Sequence, residues 1–115
     1  MNTKQILYFT YTNLYAKWFS KLDKGYAVIV RKAIKKLEHG YTGQIKHLKK
    51  ILYELKIDIG KGIRIYFIQD GNTIIVVLNG GDKSSQQKDI NKSVELMEIY
   101  IELKEKGEVS KWLKK

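Results

Sequence analysis

An arginine stands in the middle of an otherwise apolar segment, IRIYFI at positions 63–68. It is Arg64, one of two arginines in a chain whose other basic residues are nearly all lysines. A guanidinium stays charged, and its planar fork binds a phosphate through two parallel hydrogen bonds, whereas an ammonium is a hydrated point charge. Binding of a phosphate is therefore the chemistry that this residue type indicates. Pairing of Arg64 with a carboxylate across the sheet is the alternative, and the sequence leaves both open.

The residues around Arg64 follow from the alternation of side chains along a strand. In the segment Ile51–Asp58, Glu54 and Lys56 share the face that the apolar residues leave free. Pairing apolar with apolar positions sets Lys56 beside Arg64 and Glu54 beside Tyr66, because a slip of one residue would turn Arg64 toward the apolar side. These four side chains are predicted to form one polar cluster on a single face of a sheet.

A tight turn follows the arginine strand. Asp70-Gly71 lies between the apolar segments Ile63–Gln69 and Thr73–Asn79, and this dipeptide is typical of a two-residue hairpin turn. Such a turn would place Val77 beside Arg64. The apolar side chains predicted on the face of the polar cluster are Ile68, Ile75 and Val77.

A glycine-rich loop, GGDKSS at positions 80–85, joins this hairpin to the last predicted helix. Glycine lets backbone amides approach a ligand closely, the N-terminus of a helix favours anions, and Lys83 adds a cation. The alternative is that the glycines only permit a turn and that Ser84 forms a capping box with Gln87. Because neighbouring strands run antiparallel, Lys83 is predicted to reach the cluster at Lys56 and Arg64.

A short strand, two amphipathic helices, three strands and a last amphipathic helix are predicted in turn, which gives the order β-α-α-β-β-β-α. The predicted fold class is α+β, with a mainly antiparallel sheet, a helical hairpin on one face and a C-terminal helix. The first half of the chain is predicted to contain a strand at Gln5–Tyr11, a helix capped by Thr12 or Asn13, a break at Asp23-Lys24-Gly25, and a helix at Tyr26–Glu38 ended by Gly40. A loop at Tyr41–Lys50 follows, and then strands at about Ile51–Asp58, Ile63–Gln69 and Thr73–Asn79. The last elements are a helix from Ser84 ended by Gly107 and a tail that makes one more turn.

Composition limits the classes of function. The 115 residues fit a single domain, 1–115, with a short tail at 107–115, and the net charge of +10 favours a polyanionic partner. The absence of cysteine excludes disulfides and thiolate metal sites, and with His39 and His47 as the histidines we expect no metal. No apolar run approaches the roughly 20 residues of a membrane span, and no signal peptide is recognised, so a cytoplasmic protein is expected.

Two longer motifs resemble the toxins of the RelE/ParE superfamily, and most closely the HigB-like, phage-derived "addiction module killer protein" branch. The first motif is YELKIDIGKGIRIYF at positions 53–67 and the second is LNGGDKSSQQKDI at positions 78–90. They are similar to the patterns E-L-R-I-D-x-G-x-G-x-R-x-Y-F and G-G-D-K-S-S-Q-x-x-D-I of that branch, and WFSKL at positions 18–22 fits its first helix. The similarity extends to about Lys106.

The resemblance implies a RelE-like fold and a small endoribonuclease that cuts mRNA in the ribosomal A site, without metal or cofactor. The ribose 2′-hydroxyl attacks the adjacent phosphate in that reaction. Carried over by position, the basic residues of the family site fall on Lys56, Arg64 and Lys83. Arg64 and Lys83 would bind the phosphate and stabilise the charge of the transition state, and Lys56 would act as base or as a further phosphate ligand.

The chain departs from the family at two positions. Glu54 replaces a second lysine of the second strand, as a base or as a partner that orients Arg64, and Asp89 stands where some relatives have a tyrosine. Tyr53, Tyr66 and His47 remain alternatives for the acid. The further residues expected to contact RNA, on the mRNA or on the ribosome, are Lys46, His47, Lys49, Tyr66 and Ser84, with Lys50 beside them.

The resemblance also implies a cognate antitoxin, often an acidic helix-turn-helix protein. Tyr11, Tyr41 and Trp112 are candidate contacts to it, with burial in the core as the alternative. Two other functions remain open: a ParE-like toxin that inhibits DNA gyrase by protein contact, and a basic RNA-binding domain without catalysis. The three cations on one face favour the ribonuclease. Binding to a membrane surface would need a more hydrophobic basic face than the sequence offers.

Overall fold

A computed structural model describes residues 8–40, 43–72 and 74–111 of the chain. The predicted strand residues 5–7, Tyr41, Thr73 and Trp112 lie outside these ranges. The elements are β1 (Tyr8–Tyr11), α1 (Asn13–Ser20), α2 (Lys24–Glu38), β2 (Ile45–Lys49), β3 (Leu52–Ile57), β4 (Ile63–Asp70), β5 (Ile74–Gly81) and α3 (Gln86–Glu105), with short 3-10 turns at Lys83–Ser85 and Val109–Lys111.

The strands form one sheet in the order β1-β5-β4-β3-β2, in which β1 runs parallel to β5 and the other pairs are antiparallel. The predicted α+β class with a mainly antiparallel sheet is therefore confirmed. The loop predicted at Tyr41–Lys50 is wrong in part, because β2 adds a strand at the edge beside β3. Its sequence, IKHLK, carries charged side chains, which are common on edge strands. The segment therefore lacks the apolar pattern from which the other strands were predicted.

Helices cover both faces of the sheet. The buried side chains of α1 and α2, among them Tyr15, Val30 and Leu37, pack on one face with Ile65 and Phe67. The other face is covered by α3, which is amphipathic as predicted. Met97 and Tyr100 are buried there, and Ile90, Val94, Leu96 and Ile101 pack beside them. No helix in the described ranges is both long and apolar enough to cross a membrane.

The predicted register between β3 and β4 is confirmed. Lys56 lies opposite Arg64, Glu54 opposite Tyr66, and Ile57 opposite Ile63. Directly opposed residues share a face of the sheet, so the polar cluster lies on one face, the one that α3 covers.

The predicted register between β4 and β5 is wrong, because Arg64 lies opposite Gly81 and not Val77. Two features change this register: the strands pair at Asp70 and Ile74, which does not fit a two-residue turn at Asp70-Gly71, and the register shifts again between Tyr66 and Phe67. The apolar residues on the face of the polar cluster are therefore Ile68, Val76 and Leu78, whereas Ile75 and Val77 face the helical hairpin.

The ends of the helices are set by short polar side chains. Thr12 caps α1 as predicted, since its hydroxyl oxygen accepts a hydrogen bond from the amide of Tyr15. The break before the second helix is shorter than predicted, because Asp23 caps α2 and the helix begins at Lys24. Gly40 and Gly107 adopt positive φ after α2 and α3, as expected for residues that end a helix.

The capping box predicted for Ser84 and Gln87 does not form. Asp82 takes that role instead: its Oδ1 accepts hydrogen bonds from the Ser84 amide at 2.8 Å and from the Ser84 hydroxyl at 2.6 Å. The hydrogen bonds from Ser84 hold the pKa of the Asp82 carboxyl below its usual value. The 3-10 turn that Asp82 begins delays the start of α3 to Gln86.

Polar contacts join the C-terminal part of α3 to the end of β4. Asp70 accepts hydrogen bonds from the Lys104 ammonium at 2.5 Å and from the Tyr100 hydroxyl at 2.9 Å. Burial favours the neutral acid, but the hydrogen bonds from Lys104 and Tyr100 outweigh it and lower the pKa of Asp70.

Candidate functional site

The centre of the candidate site is Arg64 on β4, of which 7% is exposed. Its Nη1 donates a hydrogen bond of 2.8 Å to the carbonyl of Gly62. Its Nε is buried, lies 4.0 Å from Oε2 of Glu54, and makes no hydrogen bond within the described part of the chain. Among the described residues, Nη1 is the guanidinium nitrogen that makes a hydrogen bond.

The carboxylate of Glu54 lies beneath the start of α3. Only 5% of Glu54 is exposed, and its Oε2 accepts a hydrogen bond of 3.0 Å from Nε2 of Gln86. Glu54 therefore faces both the guanidinium of Arg64 and the first residue of α3. An acid at this place neutralises and orients a buried cation.

Tyr66 lies opposite Glu54 and is fully buried in the core that α3 covers. Burial and the charge of Glu54 raise the pKa of the Tyr66 hydroxyl, so Tyr66 stays protonated. It has no surface left for direct contact with RNA in this conformation.

Lys56 is the exposed member of the cluster. It lies directly opposite Arg64, and its Nζ is 3.7 Å from Oδ1 of Asp58, two residues further along the chain. Hydrogen bonding from Gln44 and the charge of Lys56 lower the pKa of the Asp58 carboxyl. Because both side chains of the ion pair are exposed, an anion can compete with Asp58 for this ammonium.

The loop before α3 brings Lys83 next to Arg64. A Cβ added at Gly62 would lie 2.9 Å from Nη1 of Arg64 and 4.0 Å from Cβ of Lys83, so both side chains border the same glycine. The amide of Lys83 also donates a 3.3 Å hydrogen bond to the carbonyl of Lys61. Lys83 itself is exposed.

The two glycines at the end of β5 leave space for side chains of α1 and α3 rather than for a ligand. A Cβ added at Gly80 would lie 2.4 Å from the ring of Trp18, and one added at Gly81 would overlap the carboxylate of Asp89. Asp89 also accepts a hydrogen bond of 2.6 Å from the Ser85 hydroxyl. The glycines are thus needed so that α1 and α3 can both approach this strand.

The other predicted contacts are divided between the two faces of the sheet. Lys46 lies opposite Glu54, and Lys49 lies opposite Leu52, which places both on the face of the polar cluster. His47 lies opposite Tyr53, on the other face, with ring centroids 5.2 Å apart. Ser84 is exposed beside Lys83, with its hydroxyl bonded to Asp82.

Two polar partners were not foreseen from the sequence. Asp58 follows Lys56 by two residues, and strand alternation would have placed both on one face. Gln86 reaches Glu54 only because the Lys83–Ser85 turn redirects the chain, and no local pattern signals this. Within the ranges that the structure describes, no group of three or more His, Asp or Glu side chains is arranged to hold a metal ion.

The sequence was compared with models of protein families. Residues 17–99, which include β3, β4, β5 and the loop of Lys83, match the family described as "Phage derived protein Gp49-like (DUF891)". The chain belongs to this family. The family is phage-derived and related to the addiction-module killer and RelE-like toxins, which agrees with the wider resemblance drawn from the sequence. Membership of the HigB-like branch stays a prediction.

A relative supports the family assignment. A protein of Haemophilus influenzae, described as "Uncharacterized protein", is 37% identical to the chain over 83 residues, which are 71% of this chain and 84% of the relative. No solved structure matches the chain.

Proposed function

We propose that this protein is the toxin of a type II toxin–antitoxin system and acts as an endoribonuclease on mRNA bound to the ribosome. The observation that carries the proposal is the juxtaposition of three cationic side chains. Lys56 and Arg64 oppose each other across β3 and β4, and Lys83 borders the same glycine as Arg64. Phosphodiester cleavage needs such a concentration of positive charge where the phosphorane forms.

The proposed reaction uses the RNA's own nucleophile. The ribose 2′-oxygen attacks the adjacent phosphorus, the 2′-hydroxyl loses its proton, and the bond from phosphorus to the 5′-oxygen breaks as that oxygen gains a proton. The products are a 2′,3′-cyclic phosphate and a 5′-hydroxyl end. Arg64 and Lys83 stabilise the charge on the phosphorane, and Lys56 is the base or a third phosphate ligand.

Glu54 is assigned a positioning role. It is buried, bonded to Gln86, and 4.0 Å from Nε of Arg64, so it is placed to hold the guanidinium rather than to reach a substrate. Exposed Lys46 and Lys49 extend the positive face along β2 and would contact RNA phosphates. The net charge of +10 suits an acidic antitoxin that covers this face.

Expression of the wild type beside Arg64→Ala tests the proposal. The wild type should arrest growth and cut translated messages with 2′,3′-cyclic phosphate ends, while the folded Arg64→Ala protein should do neither. Purified protein is assayed in parallel for cleavage of mRNA on isolated ribosomes and for loss of gyrase supercoiling. Inhibition of supercoiling without cleavage would support a ParE-like toxin, and RNA binding without cleavage would leave only a binding domain.

A further inference from the structure

A pocket opens at the same end of the sheet as the polar cluster, but on the opposite face. It has a volume of about 360 Å³ and lies between the turn that joins α1 to α2 and the turn that joins β3 to β4. It is lined by two aromatic residues, Trp18 and Tyr26, and by two lysines, Lys21 and Lys61. Two carboxylates, Asp23 and Asp82, also line it, and each accepts hydrogen bonds at the start of a helix or turn: Asp23 from the amides of Gly25 and Tyr26, and Asp82 from Ser84. An aromatic wall flanked by cations is the combination that binds single-stranded nucleic acid.

Glycines hold both rings in place. Trp18 packs against Gly80, where an added Cβ would lie 2.4 Å from the ring. Tyr26 packs against Gly60, where an added Cβ would lie 2.7 Å from its hydroxyl oxygen. Tyr26 nevertheless keeps 38% of its surface exposed. The ring is thus fixed by the backbone and still open to a ligand, which lowers the entropy lost on binding.

The pocket adjoins the polar cluster and Lys83. Only the loop 60–62 separates them: Gly60 contacts Tyr26, the carbonyl of Lys61 accepts the amide hydrogen bond of Lys83, and the carbonyl of Gly62 accepts from Arg64. A chain of nucleotides with one phosphate at the cluster can therefore pass over this loop and present a neighbouring base to the pocket.

We propose that this pocket binds a nucleobase of single-stranded RNA adjacent to the phosphate that is cut. The base stacks on Tyr26 beside Trp18, and Lys21 and Lys61 bind the flanking phosphates. This inference rests on the proposed ribonuclease, because that function supplies the RNA at the neighbouring cluster. Stacking tolerates any base, so the pocket would fix the register of the strand rather than its sequence.

Tryptophan fluorescence tests the proposal directly. The chain has two tryptophans, and Trp112→Phe leaves Trp18 as the reporter. The probe is a 2′-O-methyl RNA about six nucleotides long, which cannot be cut by attack of the 2′-oxygen. We expect saturable quenching of Trp18. An abasic oligonucleotide of the same length should bind the cations without this quenching, and equal quenching by the abasic probe would overturn the proposal.

Substitutions at Tyr26 give the matched comparison. Tyr26→Leu should weaken binding of the probe roughly 5- to 150-fold, the range for loss of stacking on an aromatic side chain, whereas Tyr26→Phe keeps the ring and should stay within about twofold. Tyr11→Leu is the control, because Tyr11 is equally exposed, at 37%, and lines a different cavity. Unchanged affinity of Tyr26→Leu would refute the pocket.

A second variant tests the pocket without changing a residue of α2. Lys61 is exposed in the loop, and Lys61→Gln should lower the salt dependence of probe binding by about 0.7 in the slope of log K against log salt. An unchanged slope counts against the pocket. Since the probe is not cut, these results separate the two proposals. If the wild type cleaves mRNA and Tyr26→Leu binds the probe with full affinity, the pocket alone is rejected. If the probe stacks in the pocket and the wild type cleaves no mRNA, the ribonuclease alone is rejected.

Discussion

Removing the charge of Glu54 while keeping its shape, by Glu54→Gln, tests whether buried Arg64 depends on this carboxylate. The two side chains are nearly inaccessible to water, and their closest atoms are 4.0 Å apart. Two unit charges at that distance attract by about 4 kcal/mol at an effective dielectric constant of about 20. Glutamine is easier to bury than a carboxylate, which offsets part of this attraction, so we expect the free energy of unfolding to fall by about 2–3 kcal/mol.

Urea unfolding of a double-mutant cycle measures the pair itself. Glu54→Gln, Arg64→Gln and the double variant should give a coupling energy of about 2 kcal/mol, which changes little between about 0.1 M and about 1 M salt because the pair is buried. The control is the exposed pair Lys92 and Glu95, whose atoms are closer, at 3.0 Å, and whose coupling should stay below about 0.5 kcal/mol. A coupling at Glu54 as small as that of the control would refute the role assigned to burial.

Three further predictions concern other parts of the fold. Because the folded pKa of Asp70 is lowered, its contribution to stability is present at neutral pH and lost as pH falls through that pKa. Asp70→Asn should therefore lower the free energy of unfolding by about 1–3 kcal/mol near neutral pH, with a difference that vanishes in acid; a pH-independent difference in urea titrations would contradict this. Gly81→Ala should destabilise the protein by about 1–3 kcal/mol in thermal or urea unfolding because its Cβ overlaps Asp89, and Asp89→Ala should restore part of the loss. Lys46→Gln should lower the salt slope of single-stranded RNA binding by about 0.7, and an identical slope would remove Lys46 from the interface.

The part of the site that the sequence predicts correctly is local. Lys56 and Arg64 belong to neighbouring strands joined by a short glycine-containing turn. The first strand alternates polar and apolar residues from Tyr53 to Ile57, and Arg64 is the charged residue in the apolar segment of the second. Because Glu54, Lys56 and Arg64 must share one face of the sheet, a single register satisfies the pattern. The amphipathic helices on either side were predictable for the same reason, since periodic apolar residues reveal which face is buried.

The parts that the sequence does not predict depend on distant packing. The segment Ile74–Leu78 is apolar at every position, so nothing in its pattern marks the loop length or the register shift that sets Gly81 opposite Arg64. The need for Gly81 arises from Asp89 on another element, and no local rule connects the two. Edge strand β2 was not predicted because its exposed positions carry polar residues, which interrupt the apolar pattern of a strand.

Cleavage of ribosome-bound mRNA by Lys83→Ala tests the central claim most directly. Lys83 is exposed, so its removal should leave the fold intact, and Lys88→Ala on the nearby helix is the control of equal charge. If three cations surround the phosphate, the single-turnover rate of Lys83→Ala should fall by about 10²- to 10³-fold, as expected when one preorganised stabilising group is removed, while Lys88→Ala cuts at close to the wild-type rate. A wild-type cleavage rate in Lys83→Ala would contradict the assignment of this cluster as the site of phosphodiester cleavage.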